Sequence, residues 1–472
     1  MSTLTPTRIR PTTSTMVATS CGTAIASVCT IGLFQIEQLL GGVWSVAAIS
    51  VAGLGCSILA RVFARLAEVV PSGAGLLAYF SRGYSRPVAI TLTTPYFLLT
   101  LFLAGAEATI VGFLGTSLVP LSPWLIAFLF LLLTWVCCRA GLRISYRVQA
   151  IATWTLVGAL ATFALIALFD TAAHGQLTLR LSSPTPSIAH FIAAVGQALF
   201  LFMGFELITG QVESGNSAQA VGCALRWSVA VLTGVYVLLA LGFACLAPST
   251  LTIDRWFLPQ LAIAQQVGGS VATLTIILLS FLASFTSLNG ALLALSRFTC
   301  ALASQGVLPR HFAQIEPRTL VPVHALTVLL VIVLFATALV LFGQALRPAI
   351  LAAAVSAALV YASAVWVYDR PPFAIPQRST TRQFFYRALA SGFVILGVGV
   401  LVDARSTLLQ TLMLLAFVFM AAAIAAYRTV YKIARRQPLV PQPQGVSMSA
   451  MVDALRTSSS SPRVLNDDRS SQ

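Results

Sequence analysis

Long apolar segments recur along this chain, and its arginines fall almost entirely in every second connection between them. Arg139, Arg143 and Arg147 follow the fourth segment, for example, whereas the next connection carries only Arg180. A soluble protein has no reason to sort charge in this way, but a polytopic membrane protein retains Lys and Arg in its cytoplasmic loops. The pattern therefore predicts an integral membrane protein with both termini in the cytoplasm.

The composition agrees with a membrane protein. The 472 residues are 58% hydrophobic and only 9% charged, whereas soluble domains are about a quarter charged. The net charge of +15 lies in short loops and in the C-terminal tail. We therefore expect anionic lipid of a bacterial inner membrane, rather than nucleic acid, as the partner of this charge. The sequence leaves the oligomeric state open.

A helix crosses the hydrocarbon core in about 20 residues, and on that measure we place about twelve spans, of which the fourth and the eleventh are short. They are continuously apolar, without the period-two alternation of a membrane β-barrel, so the predicted fold class is all-α. We predict a cytoplasmic tail at 1–15 and, because of its Pro, Ser and Gln content, a disordered tail at 431–472. The predicted spans lie near 16–36, 43–63, 88–115, 124–139, 148–169, 189–212, 224–246, 270–296, 321–343, 348–368, 388–402 and 408–427.

Two of these spans contain features that are unusual for a simple membrane anchor. The first has a run of small residues from Cys21 to Ser27, and the sixth has Gly204, Glu206 and Gly210 inside an apolar run. Paired irregular spans at matching positions of two halves are typical of a transporter site built from broken helices. The alternative interpretation is that the small residues only let helices pack closely.

Two carboxyl groups lie in the middle of predicted spans, Glu107 in the third and Glu206 in the sixth. A charge at the bilayer centre costs about 3 kcal/mol on insertion scales, so such a group faces a cavity or a partner, or it is protonated. Thr100, Leu103 and Val111 share one helical face with Glu107, and this face is expected to point into the bundle. The alternative role for either carboxyl is a hydrogen-bonded structural group that touches no ligand.

The cysteines and histidines indicate no metal site. The eight cysteines lie in or beside apolar segments without the spacing of metal ligands, and the four histidines are scattered. We therefore predict no metal ion, no cofactor and no catalytic group, and an enzyme is not expected.

Three stretches of the sequence form a recognisable pattern. They are Pro71-Ser72-Gly73-Ala74-Gly75 with Tyr79; Gly204-Phe205-Glu206 with Val212-Glu213 and Asn216; and Asn289, Ser296-Arg297, Gly306, Leu308-Pro309 and Pro322. With these stretches the chain resembles the amino acid–polyamine–organocation superfamily of secondary transporters over about residues 16 to 430. The first stretch looks like that family's signature after the second helix, the second like its sixth-helix signature, and the third like its eighth helix and cytoplasmic loop.

The resemblance implies a transporter domain at 16–430 with two inverted five-helix repeats, 16–169 and 189–368, and accessory helices at 388–427. In that fold the first and sixth helices are broken, and substrate binds at the breaks. The N–H groups of a helix N-terminus there can bind an anion such as a carboxylate. This chain has Ala26-Ser27-Val28 where the family commonly has Gly-Ser-Gly. The loss of both glycines predicts a shallower break or an altered carboxylate pocket.

The expected function is secondary active transport of an amino acid or related organic amine by alternating access, proton-coupled or as an exchanger. Sodium coupling, a nontransporting membrane sensor that keeps the fold, and a membrane-embedded enzyme are the alternatives. The predicted substrate-binding residues are Ala24, Ile25, Ala26, Ser27, Val28, Glu107, Phe200, Met203, Gly204 and Glu206. The predicted coupling-ion residues are Glu107, Ser284, Thr286 and Ser287.

The charge pattern predicts the topology of single positions. In a cysteine-free background, a cysteine at Arg180 should react with a membrane-impermeant maleimide in intact cells, because its connection lies outside. A cysteine at Arg143 is the matched control and should react only after the cells are permeabilised. Labelling of position 180 only from the cytoplasmic side would overturn this topology.

Overall fold

The computed structural model describes residues 11–175, 184–214, 217–246, 258–304, 306–343, 345–370, 373, 380–404 and 407–434. In these ranges the chain forms fourteen α-helices and two 3-10 segments, Phe205–Ser214 and Arg310–Ala313. The helices are α1 (Thr13–Ala24), α2 (Ser27–Leu40), α3 (Gly42–Val69), α4 (Leu76–Gly83), α5 (Arg86–Gly115), α6 (Pro123–Arg139), α7 (Leu142–Ala173), α8 (Ile188–Leu201), α9 (Ala218–Leu246), α10 (Pro259–Ser304), α11 (Val323–Gly343), α12 (Leu346–Tyr368), α13 (Thr380–Asp403) and α14 (Leu408–Ala434).

Most of these helices are long and apolar enough to cross a membrane. In the described part of the chain ten candidate spans meet both criteria, and the bent pair of α1 and α2 makes eleven. Helix α6 is apolar but has only 17 residues. The predicted fold class, an all-α membrane protein of many spans, is confirmed. The number twelve and the two inverted repeats stay predictions.

Several predicted boundaries differ from the observed ones. Helix α1 begins at Thr13, inside the predicted tail 1–15, because the Thr12 side chain accepts a hydrogen bond from the Thr15 N–H and caps the helix. Helix α14 continues to Ala434, so 431–434 are helical rather than disordered, and Lys432 and Ala434 are residue types that favour helix. The rest of the predicted disordered tail lies outside the described residues.

The eighth predicted span is also longer than expected. Helix α10 has 46 residues and bends at Gly268 and Gly269, where Gly269 has a φ of +58° that few other residues adopt. The bend divides a short N-terminal part of α10 from the part that is long and apolar enough to span the membrane.

Large apolar side chains cover the outer surface of the bundle. Leu133, Ile151, Phe335 and Phe342 are each more than half exposed. Such a surface would be an aggregation hazard in water, but in a bilayer these side chains contact lipid chains. The surface is that of a multi-pass membrane protein.

Helix α1 lies at the centre of the bundle and packs on α7, α9 and α10. Its residues from Met16 to Ala24 are buried. A Cβ atom at Gly22 would lie 2.2 Å from Oγ1 of Thr153, and a Cβ atom at Gly290 on α10 would lie 2.0 Å from Oγ1 of Thr23. These two glycines therefore bring α7 and α10 close to α1, just before the point where α1 ends.

Candidate binding site at the two helix breaks

The first break separates α1 from α2. Helix α1 ends at Ala24, helix α2 begins at Ser27, and the two helices are bent by 61°. Between them Ile25 (φ −82°, ψ 102°) and Ala26 (φ −123°, ψ 153°) are extended. Any L-amino acid adopts these angles. This backbone needs no glycine, so the loss of both glycines does not prevent the break. A shallower break than in the family stays a prediction.

Side chains from other helices satisfy the carbonyl groups at the end of α1. The Tyr236 hydroxyl donates to the Ala24 carbonyl at 2.9 Å, and the Ser287 hydroxyl donates to the Thr23 carbonyl at 3.2 Å. The last carbonyls of a helix lack partners within the helix, and no water is available in the core of a membrane. These two hydroxyls stabilise the end of α1. Sequence reasoning missed Tyr236, since a tyrosine in an apolar run gives no signal of its partner.

The N-terminus of α2 is capped by the carboxyl group of Glu107 from α5. The N–H groups of Ser27 and Val28 donate to its two oxygens at 3.0 and 2.7 Å. The Ser284 hydroxyl of α10 donates to the same carboxyl group at 2.5 Å. Glu107 is buried. A carboxylate suits this position, because the N-terminal end of a helix carries partial positive charge. The N–H groups expected to bind a ligand's carboxylate therefore bind Glu107.

The four predicted coupling-ion residues do not form one cluster. Glu107 and Ser284 are in direct contact, and Ser27 joins them because its Oγ lies 2.9 Å from that of Ser284. Ser287 contacts the end of α1, as described above. The Thr286 hydroxyl instead donates to a carbonyl of its own helix.

The second break follows α8. Phe202 and Met203 donate their N–H groups to Leu199 and Phe200, which tightens the last turn. Gly204 then has a φ of +104°, a conformation that favours glycine. The Ser20 hydroxyl of α1 donates to the Phe205 carbonyl at 3.0 Å. The second break is thus attached directly to α1.

One cavity lies between the two breaks and collects most of the predicted substrate-binding residues. Thr100 and Leu103 line it beside Glu107, so the inward orientation of this face of α5 is confirmed. The predicted residues that line it are Ala24, Ala26, Val28, Glu107, Phe200, Met203, Gly204 and Ser287. Those that sequence reasoning did not place there are Thr23, Cys29, Ala104, Leu288 and Ala291.

The remaining predicted residues lie beside this cavity. The Ser27 side chain donates to the Ser280 carbonyl at 2.6 Å instead of lining the cavity. Ile25 lines a neighbouring cavity that also includes Tyr236. Glu206 lines another one, which shares Thr23 with the central cavity.

Glu206 is buried and bound by two phenol hydroxyls. Tyr96 of α5 donates to one carboxyl oxygen, and Tyr361 of α12 donates to the other at 3.3 Å. Both donors are neutral phenol groups. Among the contacts described, the carboxyl group therefore has hydrogen bonds but no cationic partner. Neither tyrosine was singled out from the sequence.

A buried polar network fixes α7 against α10. The Asn289 amide donates to Oε1 of Gln149 at 2.8 Å, and Nε2 of Gln149 donates to the Thr286 carbonyl at 2.8 Å. The Ser145 hydroxyl donates to Oδ1 of Asn289 at 2.9 Å. Asn289 was selected by its place in the family signature, whereas its partners were not. Within the described ranges no group of three or more His, Cys, Asp or Glu side chains could hold a metal ion.

Sequence comparisons identify related transporters. The profile of a family described as amino acid permease matches residues 12–443, nearly the whole chain. Cationic amino acid transporter 6, a chloroplastic protein of Arabidopsis thaliana, is 30% identical over 142 residues, which cover 30% of this chain and 24% of the relative. Cationic amino acid transporter 4 of Homo sapiens is 29% identical over 136 residues, 28% of this chain and 21% of the relative. The matched regions span less than a quarter of these two relatives.

A solved transporter shares the fold. It is the manganese transporter of Eremococcus coleocola, crystallised with an aromatic bis-isothiourea substituted compound. The TM-score is 0.57 at 13% sequence identity, and the alignment covers 92% of this chain and 99% of that one. The similarity shows a common architecture, and at this identity it carries nothing about the ligand.

The second break depends on the backbone of Gly204. Replacing Gly204 by Ala should lower the free energy of unfolding by about 1–3 kcal/mol, because an L-residue is strained at this φ. Thermal unfolding of the purified protein in detergent measures the change. Gly158→Ala in α7 is the control, since its Cβ atom would meet no heavy atom within 4 Å. An equal effect of the two substitutions would show that the break does not need glycine.

Proposed function

Because the chain belongs to the amino acid permease family, we propose that it is a secondary active transporter that moves an amino acid or a related organic amine across the membrane by alternating access. The family and the similar proteins are transporters, which are not enzymes. The observation that carries the proposal is the cavity between the two helix breaks, with the buried carboxyl group of Glu107 in its wall. A small-molecule substrate fits a site of this kind.

Alternating access is supported by the position of the central cavity between two others. One neighbour is lined by Tyr146 near the start of α7 and Arg297 near the end of α10. The other is lined by Phe163 further along α7 and Ile276 near the start of the spanning part of α10. The two neighbours thus lie towards opposite ends of the same helices. A substrate in the central cavity could leave through either one when the packing around it changes.

Proton coupling through a membrane carboxyl group is the mechanism we favour over sodium coupling. Sodium would use oxygen ligands from the first span and from α10. The first-span carbonyls of Thr23 and Ala24, however, already accept hydrogen bonds from Ser287 and Tyr236, and a cation there would compete with these donors. The Ser284 hydroxyl donates to Glu107. The two buried carboxyl groups, Glu107 and Glu206, are the candidate proton carriers.

We propose a bacterial inner membrane location, and the arginine distribution supports cytoplasmic termini. In this orientation the cavity lined by Arg297 and Tyr146 opens towards the cytoplasm. Its wall includes a stacked pair, Phe97 and Phe298, whose ring centroids are 3.6 Å apart. We propose that this pair narrows the route from this cavity to the cytoplasm.

Counterflow of labelled ligand tests transport itself. A thermal-shift screen against amino acids and amines first selects a ligand, which at one hundred times its Kd stabilises the protein by about 2.7 kcal/mol. Proteoliposomes preloaded with that unlabelled ligand should then transiently accumulate the labelled form, and liposomes without protein should not. A ligand that binds but shows no exchange would contradict transport and favour the sensor alternative.

Ion replacement tests the coupling. At fixed pH, ligand accumulation in proteoliposomes should persist when sodium is replaced by potassium, because no sodium enters the proposed cycle. A protonophore should abolish accumulation while leaving counterflow intact, since exchange needs no gradient. Complete loss of uptake without sodium would reject proton coupling.

A further inference from the structure

The N-terminus of α2, which could bind an anion, is occupied by a side chain of the protein itself. The Ser27 and Val28 N–H groups, which could hold the carboxylate of an amino acid, donate to Glu107 instead. Glu107 lies about 80 residues along the chain from them, so this is not a local cap of the kind that helices commonly have at their own N-termini. A carboxylate of the protein stands where a carboxylate of the ligand would be expected.

The rest of the cavity wall favours positive rather than negative charge. Helix α1 ends at Ala24 and helix α8 ends at Leu201, so two C-terminal helix ends, which carry partial negative charge, border the cavity. Among the lining residues that the structure describes, none is Lys, Arg or His. With the N-terminus of α2 occupied, the wall offers negative charge and hydrogen-bond acceptors, and it therefore favours a cation.

Glu107 retains capacity for a cationic partner. Its carboxylate has about four acceptor positions, and three donors reach it among the described residues. Oε2 accepts from Ser27 and Ser284, whereas Oε1 accepts from Val28. Oε1 therefore has one acceptor position left. Because Glu107 itself lines the cavity, an ammonium group there could donate to this oxygen.

We infer that the central cavity selects an organic amine without a carboxylate, with the ammonium group bound to Glu107. This inference rests on the proposed transport function and narrows its substrate class. A zwitterionic amino acid would have to place its carboxylate beside Glu107, which costs like-charge repulsion, or displace Glu107 from three hydrogen bonds in a buried site. A decarboxylated amino acid meets neither cost.

Matched pairs of compounds test the selection in the full-length wild-type protein. Agmatine and arginine, cadaverine and lysine, and phenethylamine and phenylalanine differ only by the α-carboxylate. For at least one pair, isothermal titration should give an affinity for the amine about tenfold or more above that for the amino acid. Counterflow in proteoliposomes should show the same order.

Variants of Glu107 test the cause. Glu107→Gln should lower amine affinity by about thirtyfold or more, because the ammonium group loses its charge partner. Glu107→Ala also frees the Ser27 and Val28 N–H groups, so it should reverse the preference in favour of the amino acid. Glu37→Gln is the control. The Glu37 carboxyl group caps α3 outside the cavity, where it accepts from the Gly42 N–H at 2.7 Å and from the Ser45 hydroxyl. It should leave the ratio of affinities unchanged.

The outcomes separate the inferred preference for amines from the proposed transport function. Wild-type protein that binds and exchanges amino acids as well as or better than the matched amines would overturn the inference and leave the transport function standing. Failure to bind or exchange either member of every pair would reject both. The wild-type comparison needs no variant, so it decides the question even if Glu107→Ala does not fold.

Discussion

The contact between the Glu107 carboxyl group and the Ser27 and Val28 N–H groups is the interaction on which the first break depends. A helix that begins inside a membrane exposes N–H groups where no water can bind them, and each unsatisfied group costs free energy. Glu107 satisfies two of them with one side chain. Ser284 joins the same carboxyl group, so three helices, α2, α5 and α10, meet at this point. The break is a fixed part of the architecture rather than a frayed helix.

The two breaks form one unit through α1. Ser20 binds the backbone at Phe205 beyond the second break, and Tyr236 binds the last residue of α1 at the first. Gly22 and Gly290 let α7 and α10 approach the same helix closely. The two breaks are therefore joined through α1, as the proposed alternating access requires. The polar network around Asn289 keeps α7 and α10 together on one side of α1.

The sequence predicted what depends on composition and local order. The arginine pattern and the apolar runs gave the all-α membrane fold, and the glycines and carboxyl groups located the two irregular spans. The partners of these groups could not be predicted, because they are distant in sequence. Glu206 binds Tyr96 and Tyr361, which lie 110 and 155 residues away. The extended backbone at Ala26 could not be predicted either. A helix without glycine breaks inside a membrane only where tertiary contacts bind the backbone N–H and C=O groups that the break leaves unpaired, and those contacts are not visible in the sequence.

A ligand-bound structure of the full-length protein tests most directly whether Glu107 binds the ammonium group of the ligand. It should be determined with the best-binding member of the amine and amino acid pairs. We expect that the Ser27 and Val28 N–H groups still donate to Glu107 and that the ligand's ammonium group lies within hydrogen-bond distance of the same carboxyl group. A ligand carboxylate bound to those two N–H groups, with Glu107 displaced, would contradict it.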